Sequence, residues 1–388
     1  MNKYNFDKII DREKTASVKY DLREAYFGKA DVLPMWVADM DFETPDFIGK
    51  AVSKRAEHPV YGYSFRPESY FTAFTTWVEK RHQWPVKNEW VLFSPGIVPA
   101  LNMATLAYTS PGDGILVQPP VYFPFFHAVT NHQRKLLENI LVYKDGKYLV
   151  DFDDFERKAA KARMFFLSNP HNPVGRAWSC EELEKMGEIC LKNDVLIISD
   201  EIHGDLMLPG HKHIPMASLS DDIAAHTITC MAPSKTFNMA GLATSSVIIS
   251  DRQLRTKFNR IMEGLHIGNG NLFGAVASEA AYKEGEEWLK ELLQYVDNNF
   301  KLLEHFLRTE LPVLKLVPAE ATYLAWIDFS GTGLQDEEIK EKLIHEAGLG
   351  LSHGPLFGKG GEGFQRMNLA TPKANVIEAL NRLKIVFG

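Results

Sequence analysis

The chain has 388 residues, a formal net charge of −7 and 45% hydrophobic residues. A single hydrophobic core rarely grows beyond about 250–300 residues, so this length predicts two domains. Neither the charge nor the sequence suggests the clustered basic face that nucleic-acid binding needs, and no apolar run has the roughly 20 residues of a membrane span. Three widely spaced cysteines indicate a reduced, cytoplasmic protein.

Short apolar runs alternate with helical patterns through the middle of the chain. Runs that are apolar at every position are typical of strands buried on both faces, which predicts an α/β fold with a mostly parallel sheet under helices. Ligands on such sheets bind outside the carboxyl ends of the strands. The runs are Val91–Phe93, Ile115–Val117, Met164–Leu167, Val195–Ile198, Thr227–Cys230 and Ser246–Ile249.

The first candidate site follows the first predicted strand. Gly96, Ile97 and Val98 open a predicted helix, whose free backbone N–H groups and positive dipole end would attract an anion such as a phosphate. An ordinary turn between a strand and a helix is the commoner explanation of the same residues.

Two further candidates follow the next predicted strands. Tyr122 could lie against the face of a flat cofactor, although a tyrosine in this setting is more often part of the core. Asn172 lies in the loop 168–176, which two prolines and a glycine restrict to one path. Its amide could bind a phenolic oxygen or a substrate carboxylate, or it could simply stabilise the turn.

The most informative pair is Asp200 and Lys235, each at the end of an apolar run. A lysine that forms a Schiff base with pyridoxal phosphate needs a carboxylate held against the pyridine nitrogen. Ser234, beside the lysine, could add a hydroxyl donor for the phosphate. A lysine and an acid alone are usually surface charges, so the assignment of this pair to a cofactor depends on the residues that accompany it.

The remaining candidates are His203 and Arg366. His203 follows Asp200 by three residues and could bind a ring oxygen or cap the strand end. Arg366 could bind the carboxylate of an amino acid through two parallel hydrogen bonds, although a surface arginine is commoner. His211 and His213 are spaced like a metal pair, but no nearby acid or cysteine completes a ligand set. A solvated loop without metal is therefore expected there.

Towards the C-terminus, one long helix is predicted from about Glu286 to Glu310, because apolar residues recur on one face without an internal glycine or proline. Strand and helix patterns alternate after it, which predicts a smaller α+β domain. The resulting division is a large cofactor-binding domain, residues 45–285, and a small domain formed by residues 1–44 and 286–388. The place of the N-terminal segment in the small domain is implied only by the family resemblance below.

The order of these features resembles the pyridoxal-phosphate enzymes of the aspartate-aminotransferase fold, fold type I, over nearly the whole chain. The features follow one another as in that family: a glycine-containing helix start, an aromatic residue, an Asn-Pro loop, an acid at a strand end, a Ser-Lys pair and an arginine. Four segments are similar to its carbon–sulfur lyase branch, the cystathionine β-lyases of MalY and PatB type. They are Met35–Phe42, Tyr61–Tyr63, Asp200–His203 and Ser234–Gly241.

The resemblance implies pyridoxal 5'-phosphate as cofactor and a role for each candidate. Lys235 would hold the cofactor, Asp200 would pair with the ring nitrogen, Asn172 would face the ring oxygen and Tyr122 would stack on the ring. The phosphate would lie among Gly96, Ile97, Val98 and Ser234, and Arg366 would bind the substrate carboxylate. Tyr61 would reach the phosphate of a neighbouring subunit, which implies a homodimer.

Two positions depart from the wider fold. Many of its aminotransferases carry an arginine eight residues after the lysine, where this chain has Ala243. Many also carry a tyrosine three residues after the ring-nitrogen acid, where this chain has His203. Both departures agree with the lyase branch, and both leave the phosphate partners and the role of His203 open.

The implied reaction is β-elimination, which cleaves L-cystathionine or related cysteine S-conjugates to pyruvate, ammonia and a thiol. Transamination between an amino acid and a 2-oxo acid uses the same lysine, acid and arginine, so the residues do not separate the two reactions. A protein that binds pyridoxal phosphate and acts as a regulatory partner is a third possibility, but it would not need both Lys235 and Arg366.

Overall fold

The structure, a computed structural model, describes residues 3–268 and 270–388. Within them, the larger sheet has seven strands, and its mostly parallel order confirms the predicted α/β fold. Six strands run in one direction and Ser245–Ile248 runs against both of its neighbours. The spatial order is Val91–Ser94, Ser245–Ile248, Thr227–Met231, Leu196–Asp200, Ala162–Ser168, Gly114–Val117 and Lys135–Glu138.

Burial on both faces explains the continuous apolar runs of this sheet. Successive side chains of a strand point to opposite faces. Phe165 therefore packs into one hydrophobic cluster, while Met164 and Phe166 on either side pack into another. Each face is covered by helices, so neither can carry polar residues at low cost.

The α-helices surround this sheet and its smaller neighbour. None within the described residues is long and apolar enough to cross a membrane. They are Val18–Asp21, Arg23–Phe27, Asp46–Ala56, Glu68–His82, Ile97–Tyr108, Pro124–Thr130, Phe152–Ala159, Cys180–Lys192, Asp221–Ala225, Pro233–Thr236, Arg252–Gly264, Leu272–Glu284, Glu286–Glu310, Asp336–Glu341 and Lys373–Phe387.

The smaller sheet is antiparallel and lies in the C-terminal part of the chain. Its order is Lys315–Leu316, Leu324–Asp328, Phe364–Asn368 and Ser352–His353. The N-terminal segment joins this region, because Leu33–Pro34 pairs in parallel with Leu349–Gly350. A separate hairpin pairs Val142–Lys144 with Lys147–Leu149.

The long helix Glu286–Glu310 confirms the helix predicted from the sequence, and it buries Trp288, Leu292 and Phe300 on one face. That face belongs to a hydrophobic cluster that also contains Phe74 from the region before the helix and Leu380 from the region after it. The division into domains at residues 45 and 286 stays a prediction.

Candidate active site

The candidate active site is a cavity of about 740 Å³ at the carboxyl ends of the parallel strands. Ala162–Ser168 and Leu196–Asp200 end at its floor, and the strand Phe364–Asn368 of the smaller sheet closes one side. Eight of the eleven residues named from the sequence line it: Ile97, Val98, Tyr122, Asn172, Asp200, His203, Lys235 and Arg366.

Lys235 lies on a four-residue helix, Pro233–Thr236, that follows the strand Thr227–Met231. Its Nζ donates to the carbonyl oxygen of Ala38 over 2.6 Å. Burial lowers the pKa of Lys235 to about 8, and the positive charge of Arg366 adds to the effect. About a tenth of this amine is therefore neutral at pH 7, far more than for an ordinary lysine, and the neutral form is the one that acts as a nucleophile or base.

Asp200 is the last residue of its strand and is buried. One carboxyl oxygen accepts a hydrogen bond from the backbone N–H of Ile202 over 3.1 Å. Burial raises the pKa of Asp200 to about 7, the neighbouring Glu201 raises it further, and the Ile202 donor and Lys235 act in the opposite direction. A positively charged group beside this carboxyl would stabilise its ionised form.

Arg366 is buried, and within the described residues the hydrogen-bond partners of its guanidinium are uncharged. Nη1 donates to Asn172 Oδ1 over 3.0 Å, and Nη2 donates to the carbonyl of Trp36 and to Ser352 Oγ over 2.9 and 3.2 Å. Nε has no hydrogen-bond partner in the part of the chain that the structure describes. Burial lowers the pKa of Arg366 to about 10, so the group is still a cation at neutral pH.

His203 and Tyr122 complete the inner wall. The Nδ1 atom of His203 is buried and has no hydrogen-bond partner within the described residues. Burial lowers the pKa of His203 to about 3, so its imidazole is neutral and can donate from one nitrogen and accept at the other. The backbone N–H of Tyr122 donates to the carbonyl of Asn172 over 3.1 Å, which fixes the position of Tyr122.

The helix Ile97–Tyr108 begins at the cavity, with Ile97 and Val98 in its lining. Gly96 is its N-cap, and no side chain of residues 3–268 or 270–388 caps its first N–H groups. Gly96 and Ser234 lie beside lining residues but do not themselves line the cavity. The first turn therefore offers backbone donors to an anion.

Tyr61 lies away from the cavity of its own chain. It is 61% exposed, its hydroxyl donates to the carbonyl of Ala56, and its ring contacts Phe273. The structure therefore does not bring it to the other ten predicted residues within one chain.

Three contributors to the site were missed by sequence reasoning. The carbonyl of Ala38 accepts from Lys235 and also from the hydroxyl of Tyr323, over 2.9 Å. Asn368 holds the same segment by donating to the carbonyls of Val37 and Asp39. A backbone carbonyl has no residue-type signal, and the sequence around Tyr323 gave no mark of its position.

The expectation of a solvated loop at His211 and His213 is wrong for His213. Its side chain is buried, and Nε2 forms a 2.8 Å hydrogen bond with Glu201 Oε2. Gly204 allows this approach, because a Cβ there would lie 2.9 Å from the imidazole. Within the described residues, no cluster of histidine, cysteine and acidic side chains could hold a metal ion.

The chain is similar to known proteins in sequence and in structure. The family model of class I and II aminotransferases matches residues 31–383. Cystathionine beta-lyase PatB of Bacillus subtilis (strain 168) is 48% identical over 382 residues, which cover 98% of this chain and 99% of PatB.

Two solved structures share the fold over almost the full length. A pyridoxal-phosphate-bound protein of Clostridium difficile 630, provisionally described as an aminotransferase, has a TM-score of 0.98 at 44% identity and covers 99% of this chain and 100% of its own. Cystalysin from Treponema denticola, which contains a pyridoxal 5'-phosphate cofactor, has a TM-score of 0.96 at 37% identity, with 99% and 98% covered. These matches confirm the resemblance read from the sequence: the chain belongs to the class I and II aminotransferase family.

Proposed function

We propose that the chain is a pyridoxal-phosphate-dependent carbon–sulfur β-lyase, which cleaves L-cystathionine or related cysteine S-conjugates to pyruvate, ammonia and a thiol. The observation that carries the proposal is the convergence of Lys235, Asp200 and the buried Arg366 on one cavity. The 48% identity to PatB over nearly the full length supports the same reaction.

The groups around the cavity fit pyridoxal 5'-phosphate. Buried polar atoms nearly always have hydrogen-bond partners. Nδ1 of His203 and Nε of Arg366 have none within the described residues, so they favour a polar ligand. An amine, a buried carboxyl and an uncapped helix start match the aldehyde, the ring nitrogen and the phosphate of this cofactor.

The same contacts suggest which residues would hold the cofactor. Lys235 would be joined to it through Nζ, and the Asp200 carboxylate would pair with the ring nitrogen. Tyr122 would cover one face of the ring, while Asn172 and His203 would bind at the edge that carries the ring oxygen. For the phosphate we propose donors from Gly96, Ile97, Val98 and Ser234.

When bound, pyridoxal phosphate withdraws electrons from the α-carbon of an amino acid joined to it. Arg366 would bind the α-carboxylate, because it is a buried cation whose Nε has no hydrogen-bond partner within the described residues. Nζ of Lys235, once the amino group of the substrate has replaced it on the cofactor, would take the α-proton, which its lowered pKa allows. Loss of that proton and cleavage of the Cβ–S bond release the thiol, and one water converts the remaining three-carbon fragment to pyruvate and ammonia.

The test is incubation of the purified, cofactor-loaded protein with L-cystathionine and no 2-oxo acid. We expect steady release of pyruvate and thiol over many turnovers. The Lys235→Ala variant is the control for cofactor-catalysed background. Release that stops after one turnover would contradict the proposal.

Transamination is the second candidate, and the likeness to the Clostridium difficile structure favours it. It needs the same lysine, acid and arginine, and it differs in returning the proton rather than expelling sulfur. Turnover that appears only when a 2-oxo acid is added would establish this reaction instead.

We further propose a cytoplasmic homodimer in which Tyr61 reaches the cavity of the neighbouring subunit. Tyr61 belongs to an exposed apolar stretch with Val60, Tyr63 and Phe65, and such a stretch is typical of a surface covered by another protein. The three cysteines are unpaired, which agrees with a reduced compartment.

A further inference from the structure

A buried chain of polar side chains joins Asp200 to Lys235 behind the cavity. We call it the rear arc, and each of its side chains is at most 10% exposed. It consists of Glu201, His213, His82, Asp205 and Thr236. None of these five lines the cavity. Glu201 adjoins Asp200 in the chain and Thr236 adjoins Lys235, so the arc ends beside both groups.

At the Asp200 end, Glu201 fixes the strand terminus. Its Oε1 accepts from the hydroxyl of Ser199 over 2.8 Å and from the backbone N–H of Met216 over 2.9 Å. Its Oε2 is bound to Nε2 of His213. Because Ser199 and Glu201 flank Asp200, these bonds restrain the backbone on both sides of that carboxyl.

At the Lys235 end, Asp205 anchors the lysine-bearing turn. Its Oδ2 accepts from Thr236 Oγ1 over 3.0 Å, and Oδ1 accepts from Nε1 of Trp77 and Nε of Arg81, both over 3.0 Å. Burial alone would raise the pKa of Asp205, but bonds from His82 and the charge of Arg81 lower it to about 2. The Asp205 carboxylate is therefore ionised, and both of its oxygens accept hydrogen bonds.

The two ends of the arc meet at a pair of histidines. The ring of His82 packs edge-on against His213, with centroids 5.0 Å apart and an interplanar angle of 84°. Nε2 of His82 lies 3.2 Å from Oδ1 of Asp205. Nδ1 of His213 has no hydrogen-bond partner within the described residues. Hydrogen bonds therefore hold each half of the arc, and the two halves meet through the packing of the histidine rings.

We propose that the rear arc holds Asp200 and Lys235 at the separation that the reaction needs, with Asp205 and Thr236 as positioning residues for Lys235. The inference rests on the proposed cofactor chemistry. The helix Pro233–Thr236 has four residues and, among the residues that the structure describes, no side-chain cap, so it has little stability of its own. The bond from Thr236 to Asp205 supplies a fixed point one residue from the lysine.

The decisive variant is Thr236→Val, which removes the hydroxyl and keeps the shape. Its matched control is Thr227→Val, at the far end of the preceding strand, where the buried hydroxyl donates to the carbonyl of Ile223 over 2.7 Å. Both changes remove one buried hydrogen bond, and only the first breaks the arc. The readouts are the pH midpoint of the absorbance band of the bound cofactor, kcat and KM, and the melting temperature.

For Thr236→Val we expect the absorbance midpoint to move by about half a pH unit or more, since one hydrogen bond is lost beside Lys235, whose side-chain nitrogen titrates. We expect kcat to fall by about tenfold to a hundredfold with KM little changed, because misplaced reacting groups slow chemistry more than binding. Thr236→Ser, which restores the hydroxyl, should recover the wild-type midpoint even if the valine variant folds poorly.

Three outcomes would overturn the inference. The first is a midpoint and kcat for Thr236→Val that match those of Thr227→Val. The second is a serine variant that fails to recover the midpoint. The third is a wild-type protein without the absorbance band, which would overturn the proposed function as well, whereas the first two leave it intact.

Discussion

The guanidinium of Arg366 donates from Nη1 to the side-chain oxygen of Asn172 over 3.0 Å, across 194 residues of sequence. The bond links the smaller sheet to the loop after a strand of the larger sheet. It fixes the plane of the guanidinium and leaves Nε without a partner within the described residues. A bound carboxylate would therefore meet a cation that is already oriented.

Replacing Arg366 by lysine should lower kcat/KM for cystathionine by about tenfold to a hundredfold, because a charge-assisted hydrogen bond contributes about 1.5–3 kcal/mol and lysine lacks the planar fork. The loss should fall mainly on KM, measured by steady-state kinetics. Arg255→Lys is the control, since Arg255 binds backbone carbonyls of Ile249 and Ser250 outside the cavity lining. Equal kinetics for the two variants would contradict the assignment of Arg366.

The cofactor-free protein should lose stability between about pH 4 and pH 7 through Asp200. The pKa of this carboxyl rises from 3.8 to about 7 on burial. In that window the folded protein keeps a proton that the unfolded chain has released, so the free energy of unfolding falls as the pH rises. The effect has an upper bound of about 4 kcal/mol.

Urea unfolding at several pH values measures this effect. Asp200→Asn should remove the slope and be more stable than the wild type near pH 8, while the exposed Asp31→Asn control should follow the wild-type curve. Parallel curves for the wild type and Asp200→Asn would show that the carboxyl is not protonated on folding.

Lys235 should react with an amine-directed acylating reagent at a lower pH than an ordinary lysine. Its pKa is lowered from 10.5 to about 8, so its modification in the cofactor-free protein should have a midpoint near the lower value. Mass spectrometry of the modified peptide gives the rate at each pH.

Two variants should move that midpoint in opposite directions. Removing the cation in Arg366→Met should raise the pKa of Lys235, and removing the acid in Asp200→Asn should lower it. Shifts of the same sign in both variants would mean that charge is not the cause.

Mixed dimers test the role of Tyr61. If Tyr61 acts on the neighbouring subunit, a dimer of one Lys235→Ala chain and one Tyr61→Ala chain contains one site with both residues intact. Mixing the two impaired variants under conditions of subunit exchange should then restore lyase activity. No gain on mixing, in samples where mass spectrometry shows mixed dimers, would place Tyr61 outside the neighbouring site.

The strands could be predicted because burial restricts the residue types within each single segment of sequence. Met164–Leu167 lies within the observed strand Ala162–Ser168, and both of its faces are buried, so every position had to be apolar. The helix Glu286–Glu310 was predictable for a similar reason, since one buried face imposes a repeat that is visible in a single segment.

The contacts that shape the site were not predictable in this way. His213 was expected in solvent, yet it is buried against Glu201, because a loop is buried by whatever packs over it and not by its own composition. The carbonyl of Ala38 lies 197 residues from Lys235 in sequence. Chemistry-bearing residue types marked the candidates, and only the fold brought them to one cavity.

Arg366 is a buried cation whose hydrogen-bond partners within the described residues are all uncharged. A charge withdrawn from water without a counterion weakens the folded state, and any small molecule with a carboxylate that reaches it would remove that penalty. Simple carboxylic acids that cannot undergo elimination should therefore raise the melting temperature of the protein. The region that binds the substrate carboxylate would then also be a region of low stability in the ligand-free protein.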